Sequence, residues 1–398
     1  MQNITIMYDI IIVGGGIAGI FIGEIFSRNQ YKTLIIEAKE VVCQKSSGEL
    51  QGWFHTGSLY SMSYSKNEMN TFQENIKNLI QYYNVFEDMN FSINERNNHK
   101  NINGWFKERI SYKFHETEKY TPYSKTYIEN LNEWNLVLNK NKDTQKKTKN
   151  NFYKSYDSVM NSSKIIHDII NSYVKNNGEL MLKTEFKEYH KISSNCVKII
   201  TSKGQEYVCK KLILTTGMEL SQFLKGLVTV ASPIIVTYPR IFDKNFVVLA
   251  TQTERTLNHL IHTYNGFAYS VLGNGDYSSN LYDSDLIEKL KKSINDLNPK
   301  FHRNKFEGYL GIKAEMIKNK DENRNYLYKI GEISPNVYYA LPGKFSFSFS
   351  VAPNLFKLIL GKLPNSNIIN RFDNRKEKKN YLMHEKIARK LITEHNNM

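Results

Sequence analysis

The run Tyr8-Asp-Ile-Ile-Ile-Val13 ends in Gly14-Gly-Gly-Ile-Ala-Gly19, and Ile20, Phe21, Glu24, Ile25 and Phe26 continue at helical spacing. The order is strand, tight turn, helix. A second apolar run, Thr33-Leu-Ile-Ile36, ends in an acid, Glu37, about 20 residues after the glycines, which completes a unit of βαβ length. In Gly14-x-Gly16-x-x-Gly19 the first glycine permits the tight turn, the second lets the backbone approach a pyrophosphate, and the third lets helix pack on strand. Gly15, Ile17 and Ala18 complete the loop, and the helix N-terminus offers free N–H groups and a positive dipole to phosphates. Glu37, followed by Ala38, would accept hydrogen bonds from a ribose 2′-hydroxyl, and its charge disfavours a 2′-phosphate there. The unit therefore points to FAD or NAD rather than NADP. A glycine-rich turn in an unrelated α/β protein is the competing reading.

The rest of the chain bounds the answer. At 398 residues, 40% apolar and 13% aromatic, it is long enough for two folded domains. Cys43, Cys196 and Cys209 lack CxxC or metal-finger spacing, and no signal segment opens the chain, so a reducing, cytoplasmic setting is expected. No apolar run approaches the roughly 20 residues of a membrane-spanning helix, which leaves only peripheral membrane contact. The formal charge of +15 comes mostly from lysines interleaved with Asn and Ile, the pattern of a solvated surface rather than a nucleic-acid patch. HExxH, GxSxG and GxxxxGK[ST] do not occur, so metal hydrolysis, serine hydrolysis and P-loop chemistry lack support.

Periodicity predicts helices over residues 68–83, 127–138, 163–175, 283–297, 351–360 and 375–395. It predicts short strands at 180–182, 197–200, 207–208 and 212–214, and longer ones over 234–250 and 259–271. Residues 65–154 read as an insertion away from the cofactor, and the charged run 139–151 as a solvated loop. His259 and His262, at odd separation on one strand, would face opposite sides and make a poor metal pair.

Beyond the N-terminal unit, two further blocks bear on which dinucleotide binds. Ile166-His-Asp-Ile-Ile170, Asn177-Gly178, Thr184-Glu-Phe-Lys-Glu-Tyr-His-Lys-Ile192 and Lys211-Leu-Ile-Leu-Thr-Thr-Gly217 form one; residues 309–360 form the other. Together the three blocks resemble the D-amino-acid oxidase-like superfamily of FAD-dependent oxidoreductases, over roughly half the chain. The resemblance implies FAD as cofactor, with Phe186 touching the adenine side by its backbone and the turn at Thr216 and Gly217 passing close to the pyrophosphate. Ser46-Ser-Gly-Glu-Leu-Gln-Gly-Trp-Phe-His-Thr-Gly-Ser-Leu-Tyr60 resembles the segment beneath the isoalloxazine ring in the branch containing L-2-hydroxyglutarate and glycerol-3-phosphate oxidases. It brings Ser46, Ser47, Gly48 and His55 to the flavin, although this chain has extra residues between Ser-Gly and His. His55 is then a base for a substrate hydroxyl proton or a point of covalent flavin attachment, with a hydrogen-bonded histidine buried in the turn as the competing reading.

The closing block departs from the family at two places. Tyr309-Leu-Gly-Ile-Lys313 stands where relatives have Gly-x-Arg, so Lys313 keeps the charge but not the planar fork that pairs with a carboxylate. Gly343-Lys-Phe-Ser-Phe-Ser-Phe-Ser350 alternates Phe and Ser where relatives are glycine-rich. By resemblance Gly343, Lys344, Phe345 and Ser346 face the flavin pyrimidine edge, where Lys344 or the following helix N-terminus could stabilise charge on reduced flavin.

The expected fold is α/β: a Rossmann-like FAD-binding domain with a second, substrate domain on a mixed or antiparallel sheet. Residues 1–65, 155–225 and 325–362 would form the discontinuous FAD domain, 66–154 and 226–324 the substrate domain, and 363–398 a basic helical tail. The expected reaction is oxidation of a CH–OH or CH–NH centre of a small polar metabolite, with His55 and Lys313 catalytic, no metal, and an electron acceptor that is oxygen, quinone or a protein. A sugar mutase using FAD without net redox change, and a flavin-binding subunit without catalysis, are the alternatives.

Overall fold

The computed structural model describes residues 7–61, 64–83, 104–114, 122–138, 152–249, 256–317, 324–325, 327–368 and 381–397; the run 139–151 expected as a loop lies outside them. The chain opens with β1 (Met7–Val13), α1 (Ile17–Arg28), β2 (Thr33–Ile36), α2 (Ser46–Glu49), β3 (Trp53–Phe54), α3 (Lys66–Tyr83), β4 (Phe106–Phe114), α4 (Pro122–Leu138) and β5 (Phe152–Met160). It continues with α5 (Ser162–Lys175), β6 (Glu179–Met181), β7 (Phe186–Ser193), β8 (Cys196–Thr201), β9 (Glu206–Leu214), β10 (Leu227–Tyr238), β11 (Phe246–Leu249), β12 (Leu257–Tyr264) and β13 (Phe267–Gly273). It closes with α6 (Asp285–Leu297), β14 (Lys305–Ile317), β15 (Arg324–Asn325), β16 (Lys329–Ser334), β17 (Val337–Leu341), α7 (Ser348–Leu360) and α8 (Met383–Asn396).

The strands form two sheets. In the first, β16-β17-β9-β1-β2-β6, β1 lies parallel to both β2 and β9, and β8 and β7 extend it from β9. Both faces of β1 are covered, which is why its sequence is a continuous apolar run rather than an alternation. Ile10 and Ile12 pack among α1, α3, α5 and α7, while Ile11 and Val13 face the opposite core with Val197, Leu212 and Leu214. The second sheet, β15-β14-β10-β13-β12-β11-β4-β5-β3, is antiparallel except where β11 runs alongside β4. On β10, Ile234 and Val236 face α8, and Ile235 faces α6.

Four expectations about the elements are corrected. The two short strands at 207–208 and 212–214 are one strand, β9, along which Lys210 reaches Asp9 and Lys211 reaches Asn336. The strand expected over 234–250 is two, because Pro239 offers no N–H to a ladder and β10 ends at Tyr238. The strand expected over 259–271 is a hairpin turning at Asn265 and Gly266, both with positive φ. Finally α7 starts at Ser348, and the alternating Phe-Ser run is a single turn leading into it. Phe347 packs with Tyr60, Tyr64 and Phe72, and Phe349 with Phe21, Tyr83 and Trp105, so two of the three phenyl rings serve the core.

Candidate active site

The loop after β1 meets the strict steric demands of its glycines. A Cβ on Gly19 would lie 2.0 Å from the Gly14 carbonyl oxygen, so only glycine lets α1 sit this close to the strand. Gly14 has φ +105°, and a Cβ there would meet the Thr215 carbonyl at 2.7 Å. Gly16 differs: its Cβ would meet nothing nearer than the Ser47 hydroxyl at 3.5 Å, because that position opens into a cleft. Glu37 at the end of β2 folds back towards the loop, accepting from Gly15 N–H at 2.6 Å and Lys39 N–H at 2.8 Å. A carboxylate has about four acceptor sites, so two remain for ribose hydroxyls.

The cleft, about 360 Å³, runs from Glu37 and Ala38 past Gly14, Gly16, Ile17 and Ala18 to Lys313 and Gly343. Its walls come from both sheets. Of the positions expected at a cofactor, Ser46, Ser47, Phe186, Thr216, Gly217, Gly343, Lys344 and Phe345 also line it. Gly15, Gly19, Gly48 and Ser346 do not: Gly15 is tied to Glu37, Gly19 packs on Gly14, Gly48 fits against Cys43 O and Tyr381 O, and Ser346 is buried behind Asn75. Sequence reasoning took only Phe186 from the block 184–192 and missed that Thr184, Glu185 and Lys187 beside it, with Gln222 and Phe223, complete the wall.

A second cleft, about 270 Å³, shares Ser47, Leu50, Lys313, Gly343, Lys344 and Phe345 with the first and continues between His55, Tyr60, Pro233, Asn258 and Asp276. His55 stacks on Trp53 with ring centroids 4.4 Å apart and lies 5.5 Å from the Tyr60 ring. Burial, reinforced by the nearby Lys344 and Lys313 ammonium groups, holds its imidazole well below the ordinary histidine value. It is therefore neutral near pH 7, the form that accepts a proton. Lys313 sits within β14 and pairs with the buried Glu315 at 3.0 Å. Lys344 lies over the Tyr60 ring, 5.1 Å from its centroid. His259 and His262 do face opposite sides, one hydrogen-bonded to Ser270, the other to Gln51 O.

The donor set fits an elongated dinucleotide. Acceptors stand at the Glu37 end, a helix N-terminus and an open glycine lie midway, and Thr216 Oγ1 faces the cleft wall buried and without a partner. A profile of the DAO family, described as FAD dependent oxidoreductase, matches residues 9–345. The chain belongs to the DAO family of FAD-dependent oxidoreductases. Its cofactor is FAD, which the βαβ unit alone left open against NAD.

Solved members of this fold cover nearly the whole DAO chain at low identity. The dithionite-reduced L-α-glycerophosphate oxidase from Mycoplasma pneumoniae with FAD bound matches at TM-score 0.67 and 14% identity, over 92% of this chain and 99% of that one. L-proline dehydrogenase from P. horikoshii matches at 0.66 and 15%, over 91% and 96%. Glycine oxidase from Geobacillus kaustophilus matches at 0.63 and 14%, over 92% and 96%. A search of curated proteins finds no match. Among the described residues no helix is long and apolar enough to cross a membrane, and no three His, Cys, Asp or Glu side chains are grouped to hold a metal ion.

Proposed function

We propose that this DAO-family protein oxidises a CH–OH or CH–NH centre of a small polar, anion-bearing metabolite. The observation that carries the reading is the junction of the two clefts, where Lys313 and Lys344 stand on the shared wall and His55 lines the second cleft, close enough for both ammonium groups to act on it. The first cleft would hold FAD, with Glu37 and Phe186 at its adenosine end, and the bound group would supply a two-electron acceptor that takes a hydride at N5. Substrate enters the second cleft.

Each residue then has one task. The α1 N-terminus, Gly16, Ser47 and Thr216 hold the pyrophosphate. Neutral His55 takes the proton from the substrate hydroxyl or amine. Lys313 attracts the substrate anion as a point charge, without the two-pronged geometry of an arginine. Lys344 stabilises negative charge at the pyrimidine edge of the ring system. In this reading the first sheet is the cofactor half and the second sheet the substrate half.

The test is an absorption spectrum before and after acid precipitation, then during anaerobic addition of hydroxy acids, amino acids and glycerol phosphate. Bleaching of flavin bands by one class establishes the reaction type. Colour that stays in the acid pellet places a covalent link on the protein, with His55 the first position to map. Flavin that no compound bleaches, or turnover without any electron acceptor, sinks the oxidase reading in favour of a non-catalytic subunit or a mutase.

A further inference from the structure

Strand β5 carries a carboxylate that neither cleft reaches. Asp157 is fully buried, and four donors converge on it: Thr56 N–H at 2.8 Å and Thr56 Oγ1–H at 2.6 Å on Oδ1, Trp53 Nε1–H at 3.0 Å and Tyr112 O–H at 2.7 Å on Oδ2. Two of these are N–H groups that can only donate, one to each oxygen, so both oxygens are committed as acceptors. Trp53 and Thr56 flank His55 in the chain. Asp157 therefore grips the backbone segment on both sides of the imidazole.

Its Oδ2 also lies 3.8 Å from His55 Nδ1. That distance is too long for a hydrogen bond but well within the range over which a charge acts on a titrating group. Nδ1 is enclosed with no hydrogen-bond partner, while the ring lines the second cleft. The edge of the ring left to the cleft is the one bearing Nε2.

We propose that Asp157 is the positioning residue for His55: its carboxylate keeps the proton of the neutral imidazole on Nδ1, leaves the Nε2 lone pair towards substrate, and stabilises the imidazolium that forms. This rests on the reading of His55 as the base. In the step itself, the proton leaving the substrate hydroxyl or amine bonds to Nε2, and the adjacent C–H hydrogen leaves with its electron pair to FAD. The carboxylate gains no proton; it balances the charge that appears on the ring.

The groups around the imidazole come from five places in the chain: Asp157 on β5, Tyr112 on β4 sharing the same carboxylate, Tyr60 with its ring tilted 5.5 Å away, Lys313 on β14, and Lys344 after β17. Burial, then the Lys344 and Lys313 ammonium groups, oppose protonation of His55; the Asp157 carboxyl beside Nδ1 acts the other way, burial raising its own pKa while the donors from Thr56, Tyr112 and Trp53 hold it down. A neutral imidazole so placed stays a proton acceptor, yet has a counter-charge waiting once it accepts.

The test reads the ring nitrogens of His55 by 15N NMR in the FAD-loaded protein, with His55→Gln to assign the signals. We expect the Nδ1–H tautomer in the wild type and its loss in Asp157→Asn. Tyr112→Phe should act in the opposite sense, because removing one donor from Oδ2 concentrates negative charge next to Nδ1. His55 should then keep the Nδ1–H tautomer and titrate about one unit higher. A purely structural role predicts no such opposed pair, and Tyr112→Phe decides the matter if Asp157→Asn does not fold. An Nε2–H tautomer in the wild type, an unchanged tautomer in a folded Asp157→Asn protein, or a lower titration point in Tyr112→Phe overturns the proposal. Failure of the base reading shows separately: His55→Ala would then reduce its flavin at the wild-type rate while the tautomer data stand, which removes the proton-transfer step and leaves only the charge pairing.

Discussion

A methyl group on Gly19 would sit 2.0 Å from the Gly14 carbonyl oxygen and 2.8 Å from Thr215 Oγ1, whereas one on Gly16 would meet only the Ser47 hydroxyl at 3.5 Å. The two glycines should therefore separate folding from cofactor binding. Gly19→Ala must push α1 off β1, an overpacking that costs about 1–3 kcal/mol, visible as a lower Tm even in flavin-free protein. Gly16→Ala should fold with an unchanged Tm when flavin-free and bind FAD more weakly, read by flavin fluorescence on titration. Equal effects of both on the flavin-free Tm would show that the cleft does not open where the Gly16 Cβ points. At the junction, His55→Ala should keep bound flavin and slow its reduction by about 10²–10⁴-fold, the range for loss of a general base, in anaerobic stopped flow. The glycines and Glu37 were legible because their roles follow from spacing alone. Asp157 was not: its partners, Trp53 on β3, Thr56 just after it and Tyr112 on β4, come together only when the second sheet forms.

Helix α8 shows what happens when an element is read from charge rather than from its apolar face. The basic C-terminal segment reads as a tail, yet Ile387, Ala388, Leu391 and Ile392 pack on β10 and β13, and Tyr381 and Leu382 enter the core around α1. Each large apolar side chain so buried contributes about 1.5–3 kcal/mol, so a chain ending at residue 380 should lose an amount comparable to the whole stability of a domain. The expected outcome is an insoluble or unfolded product, whereas a soluble, flavin-binding truncation would show α8 to be dispensable. The helix is also an acid-sensitive contact. His384 is fully buried, hydrogen-bonded to Tyr269, 4.6 Å from the His262 ring and near Lys107 and Glu385. Burial pushes the His384 imidazole down to about 3 and holds His262 well below its ordinary value. Both values lie below that of the unfolded chain, near 6.5, so the unfolded state binds more protons across the interval. Stability is complete above about pH 6.5 and falls as pH drops through that interval towards 3, and His384→Phe should flatten the acid limb of a Tm-against-pH curve. The same tension between local and long-range signals explains the misread strands: Asn265-Gly266 is a strong hairpin turn by its own chemistry, but the apolar residues on either side ran together as one strand.

At the scale of the molecule, the first cleft is walled by β1, β2 and the turn after β9 on one side and by Lys313 and Ala314 of β14 on the other. FAD bound there would therefore bridge the two sheets rather than decorate one. Ligand binding to the folded state alone stabilises it by about 2.7 kcal/mol at a free concentration of 100 Kd. At about 2–4 °C per kcal/mol for a chain somewhat smaller than this one, the FAD-loaded protein should melt several degrees above the flavin-free protein. Because the bridge joins both cores, the gain should appear as one cooperative transition moved upward, followed by scanning calorimetry with flavin fluorescence recorded on the same ramp. A loaded protein showing two transitions, with flavin released at the first and the second unmoved from the flavin-free scan, would place FAD on the first sheet alone. Lys313 would then contribute nothing to cofactor binding and could act only on substrate. A single shifted transition with flavin released at its midpoint ties the second sheet to the cofactor, and with it the proposition that substrate binds where the two sheets meet.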